Sequence, residues 1–248
     1  MRHTEAQALI LATLTATAIA PASANEFRWG VGLGSIVEDS GYKGVSSETN
    51  LLPILYIETE RFRLVGPSAE FDLYSGSDFE FSLIGQYRAD GYEKGDGDIF
   101  AGMQDRDDSF DLGFEVEYET DFGDFELGLL SDVSGTHKGH EASLTYSVPF
   151  TLSRGAVSPY LAYEVQSSKL VDYYYGVRES EATALRPFYK PGSVSNVEVG
   201  IDSEWLLGER HRIVANVSYV RRGSEVEDSP LIDSASETSL TLGYVYEF

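Results

Sequence analysis

Apolar and polar residues alternate with a period of two along the last ten residues of the chain. Leu240, Leu242, Tyr244, Tyr246 and Phe248 share one face of an extended strand, and small or polar residues occupy the other face. A strand of a soluble β-sandwich can alternate in the same way. Here the apolar face continues to the final residue, although the termini of soluble domains usually fray into water. Such a strand is typical of the closing strand of an outer-membrane β-barrel.

The same alternation recurs through the rest of the chain. In residues 110–119, one face is apolar and the other carries the three glutamates Glu115, Glu117 and Glu119. We expect these glutamates to face the lumen, together with Glu126 on the following strand. A ten-residue strand is about 33 Å long and, tilted by about 40°, covers the roughly 25 Å apolar band of an outer membrane. The segments therefore have the length needed to span it.

Loop lengths predict the topology. Long connections occur at 38–49, 90–107, 167–192 and 223–235, and short ones occur near 76, 121, 153 and 208. Barrels of this class place long loops outside the cell and short turns in the periplasm. The long loop at 38–49 falls on the outer side only if the segment before residue 76 contains an even number of additional strands. This predicts two short strands, at 61–66 and 68–74. The predicted fold is an all-β, antiparallel, up-and-down transmembrane barrel of about twelve strands, or of ten if the short pair folds into the lumen.

The first 24 residues have the organisation of a secretory signal peptide. An apolar run at 8–20 follows Arg2 and precedes Pro-Ala-Ser-Ala at 21–24, which is an A-x-A type of cleavage site. No later segment contains the roughly 18 uncharged apolar residues that a transmembrane helix needs. We therefore predict that residues 1–24 are cleaved and that residues 25–248 form a single outer-membrane barrel domain.

Composition limits the partners. The chain has no cysteine, and its 41 acidic and 18 basic residues give a formal net charge of −23. Such a surface repels phosphate, so we predict that the chain does not bind nucleic acid. We predict the outer membrane of a Gram-negative bacterium as the location. The expected contacts are outer-membrane lipid, lipopolysaccharide and the barrel-assembly machinery, for which Tyr244, Tyr246 and Phe248 form the predicted insertion signal.

Residues suited to catalysis are sparse. His140 and Ser143 lie three positions apart on one strand and so point to opposite faces, which prevents a base and nucleophile pair. His137 lies in a turn where we expect it to be solvated, and His211 begins a strand at the periplasmic rim. A general base of another type stays open. We predict no enzyme activity, no catalytic residue and no cofactor.

The acidic stretch at 96–108 invites a calcium site, but its spacing does not match an EF-hand. A solvated acidic loop is the favoured interpretation. We therefore predict no metal site.

Two segments carry a family resemblance. They are Asp172-Tyr173-Tyr174-Tyr175-Gly176-Val177 and, ahead of the last strand, a stretch containing Ser229 and Pro230. They resemble landmarks of the MipA/OmpV family of Gram-negative outer-membrane proteins, and the similarity covers nearly all of the mature chain. The resemblance implies a barrel. It also implies a scaffold role, because the best-described family member joins a lytic transglycosylase to a bifunctional murein synthase.

Two functions are compatible with these features. The first is a non-enzymatic envelope scaffold linked to the peptidoglycan machinery, with the lytic transglycosylase and murein synthase as the implied partners. The second is a small, cation-preferring diffusion pore for small solutes, lined by the lumen acids. In the long loop, we interpret the tyrosine triplet as an aromatic lid or loop anchor rather than as a platform for a partner.

Overall fold

Antiparallel strands form the wall of a closed barrel in the computed structural model, which describes residues 27–45 and 48–248. The strands are β1 (Arg28–Glu38), β2 (Glu48–Glu58), β3 (Phe62–Val65), β4 (Ser68–Ser75), β5 (Phe79–Arg88), β6 (Ser109–Thr120), β7 (Gly123–Asp132), β8 (His140–Ser147), β9 (Phe150–Leu152), β10 (Gly155–Gln166), β11 (Val194–Leu207), β12 (His211–Arg221) and β13 (Ser236–Glu247). Pairing of β1 with β13 closes the barrel. The predicted signal peptide lies outside the described residues, so it stays a prediction.

The wall contains twelve strands, because β8 and β9 are two halves of one. Both pair with β10, and the break between them falls at Pro149, which has no N–H to donate to the ladder. The neighbouring Val148 N–H still donates to the Pro159 carbonyl at 3.1 Å. The short strands β3 and β4 are those that loop parity required. The twelve-stranded prediction is therefore confirmed, and the ten-stranded alternative is wrong.

Along each strand, apolar side chains face outward and polar side chains face inward, which is the reverse of a soluble protein. Leu33 and Leu242 on the outer face are 66% and 49% exposed, whereas Asp111 and Asn216 on the inner face are each 1% exposed. Only a hydrocarbon medium makes apolar exposure and polar burial favourable together. The barrel is thus a transmembrane one, with a polar and largely filled lumen.

The start of β1 meets the C-terminal residue at the periplasmic end of the β1 and β13 pair. The Trp29 and Phe248 rings stack with their centroids 4.4 Å apart, and the Phe248 N–H donates to the Trp29 carbonyl at 3.0 Å. Aromatic rings suit the headgroup boundary at this level. The last residue therefore fixes the closing seam as well as facing lipid.

The extracellular connections contain short helices. They are α1 (Ser168–Tyr175), α2 (Ser224–Glu227) and two 3-10 turns, Asp98–Phe100 and Glu179–Glu181. Among the described residues, no helix combines the length and apolar character needed to cross a membrane. Residues 167–192 were predicted only as a long connection, so α1 was not foreseen.

Candidate functional site

Four extracellular loops, of which the structure describes residues 39–45, 89–108, 167–193 and 222–235, pack together over the outer mouth of the barrel. We call this assembly the cap, and its buried apolar core includes Tyr42, Tyr92, Phe100, Met103, Leu170, Val171, Tyr174, Tyr175, Val177, Val226, Leu231 and Ile232. Tyr42 is central, with its ring centroid 5.1 Å from that of Phe100 and 5.9 Å from that of Tyr175. The cap is therefore a small hydrophobic core of its own, built on the polar lumen.

The residues of the family resemblance meet inside this cap. Tyr174 and Tyr175 are buried, and Tyr173 is half-buried with its hydroxyl accepting the Asp107 N–H at 2.9 Å. The Ser229 hydroxyl donates to the Tyr175 carbonyl at 2.7 Å, which joins the two segments. Burial raises the pKa of Tyr42 and Tyr175, so both stay neutral phenols in this core.

The other residues of the two segments support the same packing. Val177 is buried, and its backbone bridges to Tyr189. Gly176 packs so closely on α1 that a Cβ would lie 2.3 Å from the Asp172 carbonyl oxygen. The Pro230 carbonyl accepts a hydrogen bond from the Lys43 ammonium at 3.0 Å, while the Asp172 side chain is exposed. These contacts favour a structural lid, which stays our interpretation of the triplet.

A buried ion pair ties two loops of the cap together. Arg106 donates to both carboxylate oxygens of Glu181, at 3.1 and 2.9 Å. Burial alone would raise the pKa of Glu181, but hydrogen bonds from Arg106 and from the backbone N–H groups of Gln104 and Arg178 lower it to about 2. Glu181 is therefore ionised across the physiological range and holds loop 89–108 against loop 167–193.

His137 is buried, so the expectation that it is solvated is wrong. The Gly139 N–H donates to its Nδ1 at 3.0 Å, so Nε2 carries the proton and donates to Asp111 at 3.1 Å. Asp111 also accepts from Arg88 Nε at 2.8 Å. The residues of the turn do not predict this arrangement, because Asp111 and Arg88 belong to β6 and β5. Both imidazole nitrogens are used structurally, which leaves no free base for a nucleophile.

Two groups of side chains in the described residues have the proximity needed for a metal ion. They are Asp111, Asp132 and His137 under the cap, and Glu70, Asp72 and Glu80 near the periplasmic end. In the first group, binding through Nε2 would force a proton onto Nδ1, against the Gly139 N–H. The second group is half-buried, and Arg63 forms an ion pair with its Glu70 at 2.8 Å. Neither arrangement argues for a resident metal.

Beneath the cap, the lumen contains a cavity of about 90 Å³. Its carboxylate lining consists of Glu115, Glu126, Glu141, Glu164 and Glu198, and its one cationic lining residue is Arg222. Of the four lumen acids named in the sequence analysis, Glu115 and Glu126 line this cavity. Glu117 lies on the same face of β6 and pairs across the ladder with Glu126, and Glu119 is exposed near the periplasmic end of that strand.

A second ionic cluster fills the periplasmic part of the lumen beside β1 and β13. Arg212 forms ion pairs with Glu204 and Glu247, the latter at 2.7 Å, and its guanidinium lies 4.7 Å from the Tyr56 ring centroid. Arg28 bridges Glu247 to Glu58. On this side the lumen is packed by paired charges, whereas the side formed by β4 to β7 carries mainly acids.

Comparison with known proteins decides the family. Residues 31–248 match the family described as MltA-interacting protein MipA. The chain belongs to the MipA family. The family recognition made from the loop residues is therefore confirmed.

Similar proteins of this family carry outer-membrane names. The chain is 27% identical to outer membrane protein OmpV of Vibrio cholerae over 63% of its own length and 61% of OmpV, so the match spans about three fifths of that relative. It is 23% identical to the MltA-interacting protein of Escherichia coli, over 99% of this chain and all of the relative. The predicted location, the outer membrane of a Gram-negative bacterium, is confirmed.

A solved structure of OmpT from Vibrio cholerae also aligns with this MipA-family chain. The identity is 9%, the alignment covers 90% of this chain and 97% of that one, and the TM-score is 0.37. Similarity at that level carries no argument about shape or function.

Several residues of the lumen and cap escaped the sequence analysis of this MipA-family chain. Glu164 and Glu198 could have been found by the same alternation that gave Glu115, because β10 and β11 place them on the inner face. The Arg106 and Glu181 pair could not, because 75 residues separate the partners.

Proposed function

We propose that this protein is a non-enzymatic outer-membrane adaptor whose periplasmic rim binds peptidoglycan enzymes. The observation that carries the proposal is the packed cap, because a barrel closed on its outer side cannot work as a permanently open channel. An E. coli relative is named MltA-interacting protein, which supports a lytic transglycosylase as the partner here. The family resemblance adds a murein synthase as the second partner.

The rim offers five short turns to such partners, at 59–61, 76–78, 121–122, 153–154 and 208–210. Exposed charges of both signs occur there, including Arg154, Glu209 and Arg210. Together these turns form a small surface, which fits a weak or transient contact rather than a large permanent interface. Lipid and lipopolysaccharide would contact the apolar wall, and the assembly machinery would recognise Tyr244, Tyr246 and Phe248.

Charge reversal at the rim tests the adaptor. In cross-linking of whole envelopes, the native chain should capture a lytic transglycosylase, and Arg154→Glu with Arg210→Glu should reduce that capture several-fold, because rim charges steer weak association. Lys190→Glu, an exposed change in an extracellular loop, is the matched control. Equal capture by the rim variant and the control, or no capture by the native chain, would overturn the proposal.

The second candidate is a small, cation-preferring pore, favoured by the acidic cavity in the lumen. It requires the cap to open, because the native packing closes the outer mouth. The absence of a base with a free nucleophile partner around His137 supports a non-enzymatic role in either case.

A further inference from the structure

In the described part of the chain, one stretch of the barrel wall has a neighbouring strand on one side only. The hairpin of β3 and β4 forms ladder pairs with β2 at Tyr56, Ile57 and Glu58. On its other side, the same hairpin is paired with β5 up to Gln86, close to the end of that strand. Residues 48–54 of β2 therefore extend beyond the tip of the hairpin, toward the extracellular loops and in the outer half of the wall.

The ladder shows which backbone groups of this stretch are left unpaired. Alternate residues of a strand point their N–H and C=O groups to opposite neighbours. The Leu55 carbonyl accepts the Gly66 N–H at 3.0 Å, so the odd-numbered residues of β2 face the hairpin side. Beyond the tip these are Thr49, Leu51 and Pro53, and no described residue forms a hydrogen bond with their backbone groups. We call these three residues the open edge.

The lumen side of the open edge is covered by apolar side chains. Leu52, between Leu51 and Pro53, packs against the small apolar cluster of Ile36 and Ala89. Ala89 directly follows β5, so this contact joins the two flanks of the gap. It separates the open edge from the polar lumen.

The opposite side of the open edge faces lipid. Leu51 is 75% exposed, and Leu33, which pairs with Pro53 across the β1 and β2 ladder, is 66% exposed. Leu161 also faces outward, but on β10, which is paired on both sides, it is 50% exposed. The gap is thus an apolar groove with unpaired backbone groups along one flank. Such groups are strongly unfavourable in hydrocarbon, and closed barrels normally have none.

The position of the groove selects its occupant. It lies in the outer half of the wall, where the surrounding leaflet of a Gram-negative outer membrane is lipopolysaccharide. The lipid A part of lipopolysaccharide carries amide-linked hydroxyacyl chains, which place N–H and O–H donors and C=O acceptors just below the headgroup. An ester-linked phospholipid has no donor at that depth. A strand from another protein would meet a ladder interrupted at Pro53, which has no N–H.

We propose that the open edge is a binding site for lipid A. An acyl amide of lipid A donates its N–H to the Leu51 carbonyl, and a hydroxyl or carbonyl oxygen of the same chain accepts the Leu51 N–H. The hydrocarbon part of the chain lies in the groove against Leu51 and Leu33. Backbone hydrogen bonds fix this lipid in one place, unlike the lipids that only cover the wall. The site does not depend on the adaptor function.

Native mass spectrometry of the refolded protein in detergent tests the lipid class. One molecule of lipid A should bind per barrel in a saturable way. Phosphatidylethanolamine at the same concentration should bind at least about tenfold more weakly, because it has no donor at the level of the acyl linkage. Equal binding of the two lipids, or no saturable binding of lipid A, would overturn the proposal.

Proline substitutions locate the site through the direction of each N–H. Leu51→Pro removes an N–H that faces the open edge, so the barrel should still fold, as seen by its heat-modifiable shift on gels. Its lipid A binding should weaken about two- to tenfold, the range for one neutral hydrogen bond. Leu51→Val keeps the N–H and is the matched control for binding. Ile54→Pro removes an N–H that faces β1 and should prevent folding.

Both contrary results with Leu51→Pro are informative. Failure of this variant to fold would show that the Leu51 N–H is paired within the chain, and unchanged lipid A binding would show that the N–H contacts no lipid. Either result would refute the site.

Photo-cross-linking in cells separates lipid from a protein partner. The chain has no cysteine, so Leu51→Cys can carry a benzophenone at a single position, with Leu161→Cys as the control on the paired wall. The probe at Leu51 should give mainly a lipopolysaccharide adduct, in several-fold higher yield than the control. A polypeptide as the main adduct, or equal lipopolysaccharide yields at the two positions, would contradict a lipid A site.

Discussion

Gly32 shows how a single residue is fixed by the approach of two backbones. A Cβ at this position would lie 1.9 Å from the Tyr244 carbonyl oxygen on β13. That oxygen belongs to the backbone ladder, so it cannot move aside as a flexible side chain would. The glycine at this position therefore reflects close packing at the seam.

Gly32→Ala should destabilise the barrel by about 1–3 kcal/mol, the range for an overpacked site. Urea unfolding of the refolded protein, followed by tryptophan fluorescence, measures the change. Gly95→Ala is the control, because nothing lies within 4 Å of a Cβ there, and its effect should stay within about 0.5 kcal/mol. A loss no larger for Gly32→Ala than for this control would contradict the close approach.

The stability of the cap should depend on pH through the ionisation of Glu181. Its pKa is about 2 in the folded protein against an ordinary value of 4.5. A lowered folded-state pKa means that the stabilisation is complete above about pH 4.5 and is lost as the pH falls toward 2. Hydrogen exchange in loop 89–108 should therefore accelerate over this window relative to the barrel wall. Glu181→Gln should abolish the pH dependence, and an unchanged dependence in that variant would assign it to another group.

At the scale of elements, the strands were predictable and the first helix was not recognised. Alternation with a period of two gave the strands, and loop parity gave the short pair β3 and β4. In α1, the buried residues Leu170, Val171, Tyr174 and Tyr175 recur at intervals of four, which is a helical pattern present in the sequence. Assigning the tyrosine triplet to a long loop obscured it.

Contacts across the lumen were beyond sequence reasoning for a physical reason. Arg88 of β5 reaches Asp111 of β6 and Glu141 of β8. Which strands face one another across the lumen depends on the stagger and tilt of the closed barrel, and local periodicity does not encode these. Inward orientation could be predicted, but pairing could not.

The seam between β1 and β13 depends on the terminal ring. Phe248→Ala should remove the stack on Trp29, destabilising the refolded barrel by about 0.5–1.5 kcal/mol. The heat-modifiable shift on gels measures the folded fraction, both in refolded protein and in cells. Phe122→Ala, in a periplasmic turn, is the control. A cellular assembly defect larger than the loss in vitro would support an insertion signal, and no defect in either would contradict both roles.

The whole molecule combines an apolar outer wall, an acidic lumen and a packed cap. Each part needs the others. Apart from the open edge of β2, the ladder satisfies the backbone in hydrocarbon, the ion pairs of the lumen compensate for polar burial, and the cap removes the outer mouth from water. In the described part of the chain, five glutamates and one arginine line the lumen cavity.

Conduction across planar bilayers follows from that arrangement. The native barrel should show no sustained steps, because the cap closes its outer mouth. Arg106→Gln combined with Tyr174→Ala should open the cap, since it leaves Glu181 buried without its partner and removes a large side chain from the core. Any steps that appear should be cation-selective, and adding Glu115→Gln and Glu126→Gln should reduce the selectivity because the lumen then holds fewer carboxylates. Steady cation-selective conduction by the native protein would instead favour the pore, and anion selectivity in the opened variant would contradict the charge of the lumen.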